Sequence, residues 1–475
     1  MHIFITLVRQ ELRSLWRGRT FQLLMLVTIL LTAYAVGTGT LHNQRAVHDR
    51  EHLADTARHL LENQKPTSAH MAGHYGHIVF KPATFLREMD PGVDAFVGTT
   101  VKLEAHRQQE AVFAEASGRS SLIRFGQFSY ALLLQVVIPL LILFTGYRAI
   151  QVDRASGTLK LLLCQGITLR QLILARITAQ TIIYLAFLLA GVLAYSIVYY
   201  FRQPVDAQTD GLRLLLFWSV YALYYLLLIA LTIYLSARTT SASGLLAGLL
   251  SVWFVCTVIV PKSAASIGDH LHPLPTHQSF WAGIQERKQQ GINGHDRDNP
   301  YTKRFVDSIL VAHGVRDEKE LPFRLYGVLM QADEAFNNRL YDEAMGRIDS
   351  TIARQDRVGT WLSLVDPFLA VRNLSMAAAG TDMHHHFHFM QEAEGYRRQL
   401  VGRLNEQDVL RESVYKNDEG KLDASFWEQV EDFHYRSPAA GWALGHRQME
   451  LVALLLWVAV MFLIIYFTSN RIKVS

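Results

Sequence analysis

Residues Ile177–Phe201 form a run of 25 residues without one charged side chain. As a helix the run reaches about 37 Å at 1.5 Å per residue, more than the ~30 Å hydrocarbon core of a bilayer requires. A helix that is apolar on every side at this length is not a surface helix of a soluble domain. The chain is therefore read as a membrane protein, and its function has to be sought in what its spans hold on either side.

Five further segments of the same kind accompany this one. The candidate spans are 21–41, 125–147, 172–201, 214–236, 241–260 and 449–467. They are separated by two long polar insertions, 42–124 and 262–447. The fold class expected is an all-α membrane protein: six transmembrane helices with two mainly helical extracytoplasmic insertions. Arg9, Arg13, Arg17 and Arg19 precede the first span, which imitates a signal peptide, but no small-residue cleavage site closes it. It is read as an uncleaved span. Both cysteines, Cys164 and Cys256, lie outside the insertions, so a disulfide framework there is excluded.

Orientation follows from basic residues near the span ends. Residues 1–20, the 148–176 connector, the 237–240 turn and the tail from Ser469 carry twelve Lys or Arg against two acids, Glu11 and Asp153. The insertions carry at least as many acids as bases. Both termini are therefore expected in the cytoplasm, and both insertions outside. Of the 20 histidines, all but His2 fall in the insertions. Trp16, Trp218, Tyr199, Tyr200 and Trp457 lie near span ends and suit an interfacial aromatic belt. The net charge of +4 is too mild to suggest a nucleic-acid partner.

In the insertions, Leu325, Val328, Leu329, Ala332, Phe336, Leu340, Ala344, Ile348 and Ile352 recur at helical spacing. The spacing predicts a helix from Pro322 to about Val358. Further helices are expected over 381–405, 44–64 and 94–117, the last two as continuations of the first and second spans. No useful strand alternation is seen. Pro261, Pro273 and Pro275 read as the entry to the second insertion.

The most specific local pattern is the connector Gly146–Arg176, which reads GYRAIQVDRASGTLKLLLCQGITLRQLILAR. Asp153 and Arg154 hold a polar stretch at the surface, Ser156-Gly157-Thr158 supplies a break, and Leu159 to Leu163 form an apolar patch too short to span. Gly166 breaks the chain again. Two readings fit: a connector lying on the membrane surface, or a short helix between glycine hinges that docks a soluble partner.

The order Asp153-x-x-Ser156-Gly157-Thr158-Leu159, then leucines, a turn and Arg170 before a span, resembles the coupling segment of type-2 ATP-binding-cassette (ABC) exporter permeases. Asp153 stands where that family more often has Glu. The amphipathic Phe4–Arg19 stretch is similar to the family's cytoplasmic interfacial helix. The run Asp366-Pro367, Leu374-Ser375-Met376, Ala379-Gly380-Thr381-Asp382, His386, Phe389, Ala393-Glu394, Tyr396-Arg397 resembles a branch with two large outside insertions and unknown substrate.

What the resemblance implies is a permease subunit in a bacterial inner membrane. Its partners would be a cytoplasmic ABC ATPase dimer, a second permease subunit (identical or paralogous), membrane lipids and a periplasmic partner. Asp153, Gly157, Thr158 and Leu159 would dock the ATPase, with Arg154 and Arg170 contacting the ATPase or lipid headgroups. The chain has no Gly-x-x-x-x-Gly-Lys-Ser/Thr loop, so no ATP hydrolysis by that mechanism and no cofactor is expected of it; ATP and Mg²⁺ belong to the partner. Uniformly apolar spans favour amphipathic, lipid-like or peptide cargo over ions. The competing class is a membrane sensor or scaffold with a ligand- or metal-binding outer domain.

Two histidine groups have ligand-like spacing. His384, His388 and Glu392 would align at i, i+4 and i+8 on a helix and could hold Zn²⁺ or Cu²⁺. His70, His74 and His77 would do so only if helical, and Gly73 and Gly76 favour a loop. The alternative for both is packing or hydrogen-bonding histidines in a helical domain. Glu450 beside Arg447 reads as a structural pair at the membrane edge, and Arg176 as a side chain snorkelling to headgroups.

Overall fold

The computed structural model describes residues 2–63, 65–82, 85–112, 128–202, 207–410, 412–413, 415–417 and 421–472. Six helices are long and apolar enough to cross a membrane: Arg19–Glu62, Tyr130–Ala155, Leu169–Ile197, Gly211–Arg238, Ala242–Leu271 and Gln448–Arg471. The chain is a helical multi-pass membrane protein. The start expected for the second span, 125–127, lies outside the described residues.

The first spanning helix does not stop at the membrane. It runs unbroken for 44 residues, and near its far end Arg58 Nη1 donates to Val430 O at 2.8 Å and Nη2 to Trp427 O at 3.0 Å. The continuation expected over 44–64 is therefore present. The one expected over 94–117 is not. After a single turn at Asp94–Val97, Gly98 adopts φ 84 and a strand, Thr100–Leu103, pairs antiparallel with His77–Phe80. Glycine in the left-handed region ends the turn, and β-branched Thr99, Thr100 and Val101 favour extension. Residues 113–117 lie outside the described ones.

Two spans contain a π turn, Leu133–Val137 and Val255–Ile259, each two residues before a proline, Pro139 and Pro261. Proline lacks the N–H that its helical partner needs and crowds the preceding turn, which the wider turn relieves. Ile138 N bonds back to Leu133 O, so Leu134 O would meet the donorless Pro139; the Tyr225 hydroxyl on the fourth span serves it at 3.0 Å. The fifth span likewise passes through Pro261 and ends at Leu271, later than the proline-marked entry suggested.

The polar segments form a shared head. Leu325–Leu362 packs on Met383–Val409, which packs on Ala69–Tyr75. Both long helices lie where periodicity placed them; Pro322 precedes the first rather than opening it. Asp382 caps the second by accepting from His385 N at 3.1 Å.

One element of the second polar segment leaves the head. The helix Pro367–Ala379, capped by Asp366 and ended at Gly380 (φ 73), has 11 of its 13 residues buried. It packs between the fourth and sixth spans and joins their apolar core. At about 20 Å it is too short to cross a bilayer. Small Ala377, Ala378 and Ala379 allow close approach, and Arg213 donates to Ala377 O (3.2 Å) and Ala378 O (3.1 Å), satisfying carbonyls at the negative end.

Candidate functional site: coupling segment and histidine cluster

The connector forms the element its glycines suggest. The second span ends at Ala155, Gly157 takes φ 77, the helix Thr158–Cys164 follows, and Gly166 at φ 85 precedes the third span. A side chain at Gly157 would meet no atom within 4 Å, so the backbone angle alone selects glycine there. Ser156 Oγ and Thr158 Oγ1 lie 2.8 Å apart across the turn. Leu159 is fully buried in the apolar core, whereas Leu161 is 65% exposed.

Lys160 is exposed, but Asp153, Arg154, Arg170 and Arg176 have partners within the protein. Asp153 pairs with Arg176, whose Nε lies 3.6 Å from Glu11 Oε2 on the N-terminal helix, His2–Arg17. Arg176 is thus 8% exposed and does not reach for headgroups, because two carboxylates meet it within the protein. Burial raises the Glu11 carboxyl, against the pull of Arg176. Arg154 donates to Thr239 O and, at 2.6 Å, to Ala237 O, closing the end of the fourth span. Arg170 stacks 4.7 Å over Tyr466 at the end of the sixth span. Neither arginine therefore stands free at the surface. Trp218 also faces inward, 5.8 Å from Tyr130; the side chain of Tyr199 lies outside the described residues.

Between the first and third spans lies an apolar cavity of about 720 Å³ lined by Met25, Ile29, Val36, Ile182, Phe187 and Ala190.

The expected histidine stripe is not assembled. His384 stacks on His446 at 4.5 Å and stands 3.8 Å from Asp356, His388 Nδ1 lies 3.2 Å from the Tyr435 hydroxyl, and Glu392 is exposed. Positions i and i+8 are about 12 Å apart along a helix, beyond the reach of one ion. Burial and the Lys81 charge hold neighbouring His386 down at about 4. Buried Arg447 joins Glu450 (3.1 Å), Asp356 (2.7 Å) and Asp382 (3.4 Å), so the expected pair belongs to a larger network.

A different group converges instead. Ala69–Tyr75 is helical despite Gly73, which lets Ala105 approach: its Cβ would lie 3.2 Å from a Cβ at Gly73, and Ala105 N donates to Gly73 O at 3.0 Å. His70 and His74 thereby share one face, with Nε2 atoms 3.0 Å apart. His106 and His295 complete the group, and one ring nitrogen or the other of all four lies within 4.8 Å of the rest. His77 turns away onto its strand beside Tyr396. Burial and then the neighbouring imidazoles hold His70 down at about 3. Nothing in local spacing ties position 70 to 295.

The family model that matches the chain is a domain of unknown function, DUF3526, over residues 278–436. That stretch contains the inserted helix and His295, and it excludes the Gly146–Arg176 connector. No curated protein matches the chain.

Proposed function

We propose that the chain is the permease subunit of an ABC exporter, with both termini in the cytoplasm of a bacterial inner membrane and the head outside. ATP hydrolysis belongs to partner ATPases, and the cargo is amphipathic, lipid-like or peptidic. The observation that carries this reading is the Thr158–Cys164 helix: Leu159 anchors it in the core, left-handed glycines flank it, and Leu161 projects from it. A push on such a helix passes through Asp153–Arg176 and Arg154–Ala237 to the N-terminal helix and the second, third and fourth spans. The apolar cavity beside the first and third spans suits lipid-like cargo better than ions.

The test is affinity purification of the full chain from native membranes with Leu161→Glu. Loss of the co-purified ATPase, with normal membrane insertion, supports the docking assignment. Undiminished ATPase recovery overturns it. A membrane sensor or scaffold is the second reading, favoured by the four-histidine cluster.

A further inference from the structure

We propose that His70, His74, His106 and His295 form a binding site for one divalent transition-metal ion of the Zn²⁺/Cu²⁺ class, shared between the two polar segments. This inference does not depend on the transport reading.

Convergence is the first argument. Three ligands come from the segment after the first span and one from the loop before Pro300–His313, yet all four rings meet. Ligand nitrogens around a four-coordinate ion at about 2.1 Å stand about 3.4 Å apart. The His70–His74 pair is already at 3.0 Å, and none of the four exceeds 4.8 Å, so rotamer-scale movement closes the set.

The surroundings of His106 supply the second. Its Nδ1 lies 3.0 Å from Glu334 Oε2 and 3.1 Å from Asp333 Oδ2. Both of its ring nitrogens are buried, and neither has a hydrogen-bond partner of good geometry among the described residues. The two carboxylates beside Nδ1 favour the proton on that side by charge and leave the Nε2 lone pair for an ion, as carboxylates behind metal-binding imidazoles do. Buried Arg397 fixes Glu334 in turn, and itself bonds Glu394 at 2.8 Å.

Backbone conformation is the third. His106 is the one non-glycine residue at positive φ (58°) among the described residues. Such a conformation costs free energy and persists where the surroundings impose it. Here its N donates to Glu334 Oε2 at 2.8 Å and its O accepts from Lys288 Nζ at 3.0 Å.

His70 and His106 are buried while His74 and His295 are exposed, so an ion has a way in from one side. The donor set is imidazole alone, which suits Zn²⁺ and Cu²⁺ and not Ca²⁺ or Mg²⁺.

The test uses the full chain, purified in detergent without a polyhistidine tag and stripped with chelator. Zn²⁺ and Cu²⁺ are titrated separately, and bound metal is counted by mass spectrometry. One ion per chain at micromolar or tighter affinity is expected; the tighter arm identifies the ion. His106→Ala and the pair His70→Ala, His74→Ala should abolish stoichiometric binding. His295→Ala, on an exposed loop, should weaken it with thermal unfolding of the metal-free protein unchanged, and Glu334→Gln should weaken it about 10–100-fold. His384→Ala with His388→Ala should bind as the parent does. Absence of stoichiometric binding in both arms overturns the site, as does binding that survives His106→Ala or is undiminished in His295→Ala.

Discussion

The Tyr221 hydroxyl on the fourth span lies 2.8 Å from the Ser375 hydroxyl on the inserted helix. The contact belongs to a buried chain: Gln135 Nε2 donates to Tyr221 at 3.0 Å, and Ser375 donates to Asp90 Oδ2 at 2.5 Å. Asp90 lies between the first two spans in sequence, and burial raises its carboxyl against the bonds from Ser375 and Gly92. One hydrogen-bonded line thus ties the second span, the fourth span, the inserted helix and the head.

Ser375→Ala removes the hydroxyl shared by Tyr221 and Asp90 and leaves a buried acceptor short of a donor. The expected cost is about 1–3 kcal/mol. Thermal unfolding in detergent measures it, and an unchanged midpoint would show that the chain of bonds does not stabilise the fold.

Arg447→Gln leaves Asp382 and Glu450 buried without their cation, along with Asp356 at the margin. Breaking a buried ionic group from one side costs about 3–5 kcal/mol. The variant should be recovered poorly from membranes, whereas Arg287→Gln, at the exposed pair with Glu343, should behave as the parent. Equal recovery of the two would refute the network's importance.

Gly157 separates backbone from side-chain effects. Because no atom crowds the position, Gly157→Ala should cost about 1–2 kcal/mol from φ 77 alone, and Gly157→Asn less, since Asn tolerates the left-handed region. Hydrogen exchange of Thr158–Cys164 reads the difference directly. Equal protection in the two variants would remove the hinge from the account.

Acid should loosen the head. His386 is held at about 4 against an ordinary 6.5, by burial first and Lys81 second. The unfolded chain therefore takes up a proton that the folded one refuses between these values. Stability is full above about 6.5 and falls as pH drops toward about 4, by at most about 3 kcal/mol for this residue. Burial also lowers His77 and His385, so His386→Phe should flatten the slope and not abolish it. Unfolding midpoints at pH 7 and pH 5 check this; an unaltered slope would assign the sensitivity elsewhere.

Much of this architecture is legible in the sequence because it depends on local periodicity. The spans announce themselves by length, the Leu325–Leu362 and Met383–Val409 helices by spacing, and the Thr158–Cys164 helix by Gly157 and Gly166. The inserted helix is harder to see. Its composition resembles any buried helix, and its position inside a long polar segment disguises its place among the spans. Arg176 looks like a snorkelling residue until Asp153 and Glu11 are seen to meet it, one of them from 165 positions away. The histidine stripe at His384 has the better local spacing, yet the four rings that converge come from positions 70 to 295. Spacing reports neighbours along a helix; convergence across the chain leaves no such trace.

The first spanning helix, whose 44 residues make it about 66 Å long, has a mechanical consequence. One end abuts the N-terminal helix through Trp16 and Phe21, and the other holds Trp427 and Val430 through Arg58. A rod anchored at both ends carries a tilt of a few degrees at its base as a sweep of several ångströms at its tip. The N-terminal helix and the Trp427–Val430 stretch of the head are thus joined by a single lever.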